Sequence, residues 1–328
     1  MNAHRKPGLL LVLLVLATIT VPARAVAEET GTFDRTLNVS GPVELDVRSG
    51  SGDINIHVGG SNTVHVAAKV RARDSWLMGM SAKEKIRKIT SNPPVEQQGN
   101  MIRIGRIEDR NLQQNVSIDY DVTVPAQTKV TSQTGSGDQK ISGVLLPLTA
   151  RAGSGGVTLD QVGADARVTS GSGDLKINSI KGTLTADTGS GNIVARGIAG
   201  AIAAHTGSGE IELEQVAAGD VNVGTGSGNV KLRGVRGGLR AQTGSGDIEA
   251  EGAVTHDWRL GAGSGTIRLK VPAQASFNLD ARTSSGTLKV NHPVTMQGTM
   301  SRNHIQGKVG NGGVLMEVHT GSGDIYVD

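Results

Sequence analysis

The 328-residue sequence has no cysteine, so a disulfide framework, a cysteine metal site and a cysteine-linked lipid anchor are all closed to it. Aromatic residues are almost as scarce, at 2% of the chain: Phe33, Trp76, Tyr120, Trp258, Phe277 and Tyr326. Six rings are too few for a core that leans on them, or for the stacking platforms on which sugars and bases rest. An excess of one charge is missing too. Arg5, Lys6 and Arg24 account for the whole formal net charge of +3, and from residue 26 onward acids and bases balance. That leaves no basic footprint, and hence no expectation of a nucleic-acid partner. Beyond residue 17 no apolar run is long enough to span a bilayer. The eight histidines show no HExxH or other ligand spacing.

What is present begins with a basic stretch, Met1 to Lys6, then an apolar run from Gly8 to Ala17, then Ala23-Arg24-Ala25. A basic start, a short hydrophobic segment and a small-residue cleavage pattern read as a secretory signal peptide over residues 1–25. An uncleaved N-terminal anchor is the alternative. The mature chain is expected outside the cytoplasm: periplasmic, cell-surface or secreted.

Glycine is abundant, at 47 residues, and it is periodic. Gly-Ser-Gly or a close variant recurs with its second glycine at 52, 137, 155, 173, 191, 209, 228, 246, 265, 286 and 323. From 137 to 286 the steps are 18, 18, 18, 18, 19, 18, 19 and 21, and the last, of 37, reads as two periods with one turn blurred at Gly310–Gly313. A fixed period of this size marks a repeat architecture. Each unit contains two short runs of alternating apolar and polar residues, the pattern of a half-buried strand. Leu175, Ile177, Ile180, Leu184 and Ala186 are the inward set in one unit; Ile211, Leu213, Val216, Val221 and Val223 are the expected set two units on. One corner of each unit is the Gly-Ser-Gly turn. Its glycines, where a Cβ would clash, are assigned a structural turn role: Gly135 and Gly137, Gly153 and Gly155, Gly171 and Gly173, Gly189 and Gly191, Gly207 and Gly209, Gly226 and Gly228, Gly244 and Gly246, Gly321 and Gly323. The other corner is looser. Pro147, Pro272 and Pro293 fall at or near it, where a missing N–H does not break a ladder.

Such units could stack as a parallel β-solenoid, one unit per turn, or fold as an up-and-down meander. The outward residues Glu212, Lys231, Glu249 and Arg268 alternate in sign from unit to unit. Stacked one turn apart, about 4.8 Å, opposite charges would pair. In a meander they would lie two strands apart with no reason to alternate. The expected fold is therefore all-β, a parallel solenoid of about 18 residues and two strands per turn, roughly 50 Å long. The expected organisation is a signal peptide over 1–25, a β-rich segment over 26–130 and the repeat array over 131–328. Within the second segment an insertion near 75–96 breaks the strand pattern. Ser81 followed by Glu84 is a capping-box signature, Ile86 and Ile89 share one helical face, and Pro93-Pro94 ends the element. A short helix capping the end of the solenoid is expected there.

The repeated Thr-Gly-Ser-Gly-Asp-Ile, the segment Asp119-Tyr120-Asp121-Val122-Thr123-Val124-Pro125 and the signal peptide resemble the DUF4097 family of bacterial envelope proteins, with the auto-transporter adhesin head (GIN) domain as a cousin. The likeness covers about residues 33–328. It implies a β-helical extracytoplasmic protein with an adhesive or surface role, and offers no catalytic residues.

Candidate chemistry is thin. The residue after Gly-Ser-Gly reads Asp138, Gly156, Asp174, Asn192, Glu210, Asn229, Asp247, Thr266. Calcium-binding β-rolls stack carboxylates at such a turn, whereas this row leaves every second rung uncharged, so turn capping is expected and no metal. Eleven copies of Gly-Ser-Gly cannot be nucleophile elbows, and their glycine spacing is wrong for one. A polysaccharide lyase or hydrolase would need a break in the repeat with clustered acids. Two breaks exist. One is 254–260, with His256, Asp257, Trp258 and Arg259; there Trp258 is expected to be core, in the slot of Leu239. The other is 291–307, with His292, Arg302 and His304. Lys83, Lys85, Arg87 and Lys88 beside Trp76, Leu77, Met78 and Met80 admit a membrane-surface patch as well as a cap. The C-terminal Gly323–Asp328 has no evident cap and is expected to offer an open edge for self-association or for an envelope partner. No enzyme and no cofactor are expected; the alternatives to a structural or adhesin-like role are a polysaccharide-active lyase or hydrolase and an envelope-stress or signalling accessory domain, and a cell-wall or surface polysaccharide, or an envelope protein, is the expected kind of partner.

Overall fold

The computed structural model describes residues 28–60, 62–74, 80–296 and 301–328. The expected signal peptide over 1–25 and Trp76, Leu77 and Met78 lie outside them. Among the described residues the chain forms 29 strands and two short helices, and the strands make two sheets of 14 and 15.

Consecutive strands of a unit lie in opposite sheets, and each is paired in parallel with its copies one period away. Ala166 of strand Ala166–Ser170 is in register with Leu148 on one side and Leu184 on the other. In the facing sheet, Leu175 of Leu175–Ile180 sits between Val157 and Ile193. This is a solenoid, and the meander is excluded. The charged column behaves accordingly: Glu212 is in register with Lys231, Lys231 with Glu249 and Glu249 with Arg268. Inward residues of both sheets form one continuous core of Val, Ile, Leu and Ala, most of it fully buried. Trp258 belongs to that core. It is in register with Leu239, and its indole N–H donates to the Gly237 carbonyl at 3.1 Å.

The rungs are not stacked in chain order. At one end, the rung made by Met101–Ile104 and Val116–Val124 lies outside the earlier rung of Val43–Ser49 and Ile54–Val58, whose other side takes Thr128–Thr134 and Gln139–Ser142. At the other end, Leu315–Ser322 and Ile325–Val327 slide between the rung of Trp258–Ser264 and Ile267–Lys270 and the rung of Phe277–Ser285 and Leu288–Val290. Two expectations are corrected by this. Gly310–Gly313 is not a blurred turn between successive periods: it leads out of an antiparallel hairpin, Val294–Met296 with His304–Val309, laid on Phe277–Ser285. Nor is the C-terminal strand an open edge, because Ile325 is in register with both Ile267 and Leu288. The outermost strands there are Leu288–Val290 and Val294–Met296. Twelve two-stranded rungs result, a stack of about 53 Å at the usual strand spacing.

The N-terminal end is closed by antiparallel strands and a helix. Glu28–Asn38 pairs with Thr63–Arg73, which pairs with Val116–Val124. The facing sheet extends by only Val95–Gln98. Helix Ala82–Ser91 packs on the 28–38/63–73 pair through buried Ala82, Ile86 and Ile89. Ser81 is its N-cap, the hydroxyl accepting from the Glu84 N–H at 3.3 Å.

Candidate functional site

Chemistry could sit at the tight corner, at the loose corner, on the outer faces or where the repeat is broken. At the tight corner the glycine backbone, the Thr or Ser before it and the residue after it are committed to stacking, while the serine between the glycines stands exposed. A Cβ on Gly137, Gly155, Gly173, Gly191, Gly209, Gly228, Gly246, Gly265 or Gly323 would fall inside the van der Waals shell of the carbonyl oxygen of the equivalent glycine one rung away. The first-glycine column, Gly135, Gly153, Gly171, Gly189, Gly207, Gly226, Gly244 and Gly321, meets the same obstacle. A left-handed φ explains only part of this. It occurs at Gly228 (154°) and Gly246 (146°), for example, but not at Gly173 or Gly191. Close approach of backbones is what all share.

Two side-chain ladders run beside the glycines. A buried hydroxyl donates to the second-glycine carbonyl of the rung below: Thr188 to Gly173 at 3.0 Å, Thr206 to Gly191 at 2.9 Å, Thr243 to Gly228 at 3.0 Å and Thr320 to Gly265 at 2.9 Å. Outside them, the acidic or amide residue after Gly-Ser-Gly accepts from a backbone N–H of the next rung. Asp138 takes the Gly156 N–H at 2.8 Å, Asp174 that of Asn192 at 2.8 Å, Asn192 that of Glu210 at 2.9 Å, Asn229 that of Asp247 at 2.9 Å and Asp247 that of Thr266 at 2.8 Å. The row is a ladder of caps, in which Asn serves as well as Asp. Among the described residues no three His, Asp or Glu side chains converge in metal-binding geometry.

The loose corner holds a correction. In four rungs the residue before the last inward apolar side chain is left-handed: Gln161 (φ 56°) before Val162, Ser179 (58°) before Ile180, Gly197 (71°) before Ile198, Gly234 (70°) before Val235. That twist turns a residue three places after the previous inward one toward the core. The rung at 211–216 lacks it. Alternation continues, and Gln215 rather than Val216 falls inward, in register with Ile198. Gln215 is 3% exposed, its amide donating to the Gly219 carbonyl at 2.8 Å, while Val216 is 46% exposed. Val216 and Leu145 bound a shallow apolar trough of about 450 Å³ floored by Val162 and Ile180.

The outer faces carry exposed ion pairs. Glu212 meets Arg196 at 3.3 Å and Arg233 at 3.2 Å; Glu249 meets Lys270 at 3.0 Å and Lys231 at 3.5 Å. Glu212 thus turns to Arg196 and Arg233, not to its register neighbour Lys231. The hydrogen bond from Lys270 holds the Glu249 carboxyl below the ordinary range.

Among the described residues neither break in the repeat gathers carboxylates. Asp257 accepts the Leu315 N–H at 2.9 Å, which seats the C-terminal rung, and Arg259 lies 3.8 Å from Asp257 and 3.7 Å from Glu317. His256 bonds only the neighbouring Thr255 hydroxyl, at 3.1 Å. In the second break His304 meets Asp280 at 3.0 Å, and Arg282 meets the same carboxylate at 2.8 Å. Burial tends to raise the Asp280 pKa, but hydrogen bonds from Arg282 and His304 outweigh it and hold the carboxyl below its usual range. His292 packs edge-on against Phe277. The helix lysines do not form one exposed face: Lys85 is buried, its Nζ donating to the Gln114 carbonyl at 2.7 Å.

A feature that the motifs did not signal lies at the N-terminal end. The outer rung has no Gly-Ser-Gly. Its corner is a loop over 105–115 carrying the short helix Arg110–Gln113. The loop borders a half-open pocket of about 350 Å³, lined by Arg48, Gly50, Ile107, Leu112, Val116 and Tyr120 among others. Tyr120 fills the slot held by Ile54 in the next rung, is 2% exposed, and its hydroxyl has no hydrogen-bond partner. Burial raises its pKa, so it is a neutral phenol. A tyrosine where the column has Ile, Val and Leu, beside a missing glycine turn, is the trace this site leaves in the sequence.

These features define a class: a two-sheet parallel β-solenoid with antiparallel caps, its tight corner tied together by vertical hydroxyl and carboxylate or amide ladders. The chain belongs to the DUF4097 family, whose model, described as Toastrack DUF4097, matches residues 18–201 and 199–328. No curated protein matches it. Solved structures aligned with it include a protein named as a candidate adhesin from Parabacteroides distasonis ATCC 8503 (12% identity, 90% of this chain and 97% of that one, TM-score 0.40). Another from the same organism is named as a candidate lipid-binding protein (14% identity, 90% and 96%, TM-score 0.35). A third, from Clostridium sporogenes ATCC 15579, is named as a candidate cell adhesion protein (10% identity, 91% and 99%, TM-score 0.22). At these scores the likenesses bear on neither fold nor function.

Proposed function

We propose that the protein is a non-enzymatic, extracytoplasmic solenoid with a structural or adhesin-like role, binding a surface or cell-wall polysaccharide or an envelope protein along its flanks. The observation that carries this is the commitment of corner groups to stacking. Carboxylates and threonine hydroxyls of the tight corner hold one rung on the next, and what is left for a partner is the flanks, one of which carries the sign-alternating column Glu212, Lys231, Glu249 and Arg268. The leader-like residues 1–25 support an extracytoplasmic location. The turn glycines are proposed as structural, and 1–25, 26–130 and 131–328 as leader, capped N-terminal segment and array.

The test is retention of the mature chain on isolated cell-wall polysaccharide and envelope fractions, compared with the doubly reversed Lys231→Glu, Arg233→Glu flank. Retention by the parent and loss by a variant of unchanged melting temperature is the expected result. Equal retention of both, or of neither, sinks the flank-binding proposal. Release of new sugar ends from the polysaccharide would instead make the protein an enzyme.

A further inference from the structure

We infer that strand Glu28–Asn38 is a pairing edge for a second copy of this chain, the two copies joining antiparallel about a two-fold axis at Thr32. The interface lies at the N-terminal end of the rod and stands whatever the flanks bind. Edge length carries the first half of the argument. Two sheets have four edges, and among the described residues three of them are blunted: Val95–Gln98, Leu288–Val290 and Val294–Met296 have only three or four residues each. Glu28–Asn38 has eleven, with no proline and with unbroken register against Thr63–Arg73. A long, regular edge is a template for another strand.

Charge carries the second half, by choosing the partner and the register. The Val39 N–H donates to the Asn62 carbonyl at 2.9 Å, on the side of the neighbouring strand. Alternation then aims the N–H and C=O of Thr30, Thr32, Asp34 and Thr36 at the outer edge. Two carbonyls of that set take side chains in place of a strand: Asp34 accepts from Arg35 at 2.9 Å and Asn38 from Gln97 at 2.7 Å. Two copies can pair there, core faces aligned, with the axis at any one residue. Centred on Gly31, the strands set Glu28 against Asp34; centred on Asp34, they set that carboxylate against itself. Centred on Phe33, they oppose Glu29 to Leu37 and Arg35 to Gly31. Centred on Thr32, they oppose Glu29 to Arg35 twice, once on each side of the axis. Opposite charges directly across an antiparallel pair attract and like charges repel, so the strand is complementary to itself in that register. Glu29 and Arg35 are both exposed, on the face where Ile86 of the helix packs against Gly31. The pairing makes about ten backbone hydrogen bonds and gives Arg35 a carboxylate in place of the Asp34 carbonyl.

The lack of cysteine makes the test direct. In the mature chain Thr32→Cys is expected to give a disulfide-linked dimer on mild oxidation, because the two thiols meet at the axis. Thr30→Cys is expected to stay unlinked, since its copy lies four residues along the partner strand, about 13 Å away. By light scattering the parent is expected to dimerise at micromolar concentration. Arg35→Glu should weaken that by about tenfold or more, and the double exchange Glu29→Arg, Arg35→Glu should restore it. Thr32→Pro removes an outer-edge N–H and spares the ladder to Thr63–Arg73, and is expected to abolish dimerisation. Melting temperatures, taken where the parent is monomeric, check that each variant keeps its fold. A parent that stays monomeric at every concentration overturns the proposal. So does a dimer indifferent to Arg35→Glu, a double exchange that fails to restore it, or linkage of the Thr30→Cys chain as fast as of the Thr32→Cys chain.

Discussion

At the scale of single residues, the fold turns on how closely two backbones may approach. Gly191 and Gly261 make the contrast. The first faces the Gly173 carbonyl, whereas nothing lies within 4 Å of where a Cβ on the second would stand. Gly191→Ala is expected to cost more than about 2 kcal/mol, because backbone has to move, and Gly261→Ala to be neutral or stabilising by up to about 1 kcal/mol. Thermal melts of the two variants check this directly. The hydroxyl ladder allows a second comparison. Thr188→Val removes a buried donor to the Gly173 carbonyl, and with it the acceptor of the Gly191 N–H at 3.3 Å; a loss of about 1–2 kcal/mol is expected. Ala152 sits in the same column, between Thr134 and Ser170, and has no hydroxyl to offer. Ala152→Thr is expected to raise the melting temperature. Residues also mark where sequence became illegible. Glycine announces a left-handed residue at 197 and 234, but Gln161 and Ser179 adopt the same conformation without any such sign. Whether a twist is present decides which of Gln215 and Val216 is buried, and composition does not encode it.

At the scale of elements, strand identity was readable and strand adjacency only in part. Period and alternation say which segments are alike, and in the middle of the array likeness and adjacency coincide. They part at the ends. Leu315–Ser322 carries a fuller consensus, Thr320-Gly321-Ser322-Gly323-Asp324, than Phe277–Ser285, yet it lies inside that strand and not beyond it. Nothing local distinguishes the two orders, since either satisfies the same inward pattern. The helix was legible because its cap and its proline stop are local chemistry. The C-terminal hairpin yields a prediction about pH. His304 and Arg282 clasp Asp280, whose folded pKa is lowered, so ionised Asp280 adds stability above the unfolded carboxylate pKa of about 3.9. That contribution is lost as pH falls through the folded value. Protection from hydrogen exchange over 301–309, taken relative to the intrinsic amide rate at each pH, is therefore expected to fall below about pH 4. In Asp280→Asn protection should already be low at neutral pH and change little on acidification; an acid response as large as the parent's would show that another group is responsible.

At the scale of the whole molecule, equivalent rungs should be interchangeable, because each touches only its neighbours. Deleting residues 156–173 removes one period and joins Gly155 to Asp174. The Asp174 N–H then meets the Asp138 carboxylate that now takes the Gly156 N–H, and the Thr188 hydroxyl meets the Gly155 carbonyl that now takes Ser170. Every ladder closes again. A folded rod shorter by about 4.8 Å is expected by small-angle scattering, with a cooperative melt close to the parent's. Removing 315–328 shortens the chain by less but should do more harm. That rung fills a slot between two others and supplies the Thr320 hydroxyl to Gly265 and the Asp324 carboxylate to the Thr287 N–H. With it gone, Trp258–Ser264 and Phe277–Ser285 each lose a partner on one side, and the hairpin over 294–309 loses its footing. Early, separate melting of residues 258–309 is the expected outcome. A single transition at the parent's temperature would show that the flanking rungs close on each other, and that the inserted rung is dispensable for the stack.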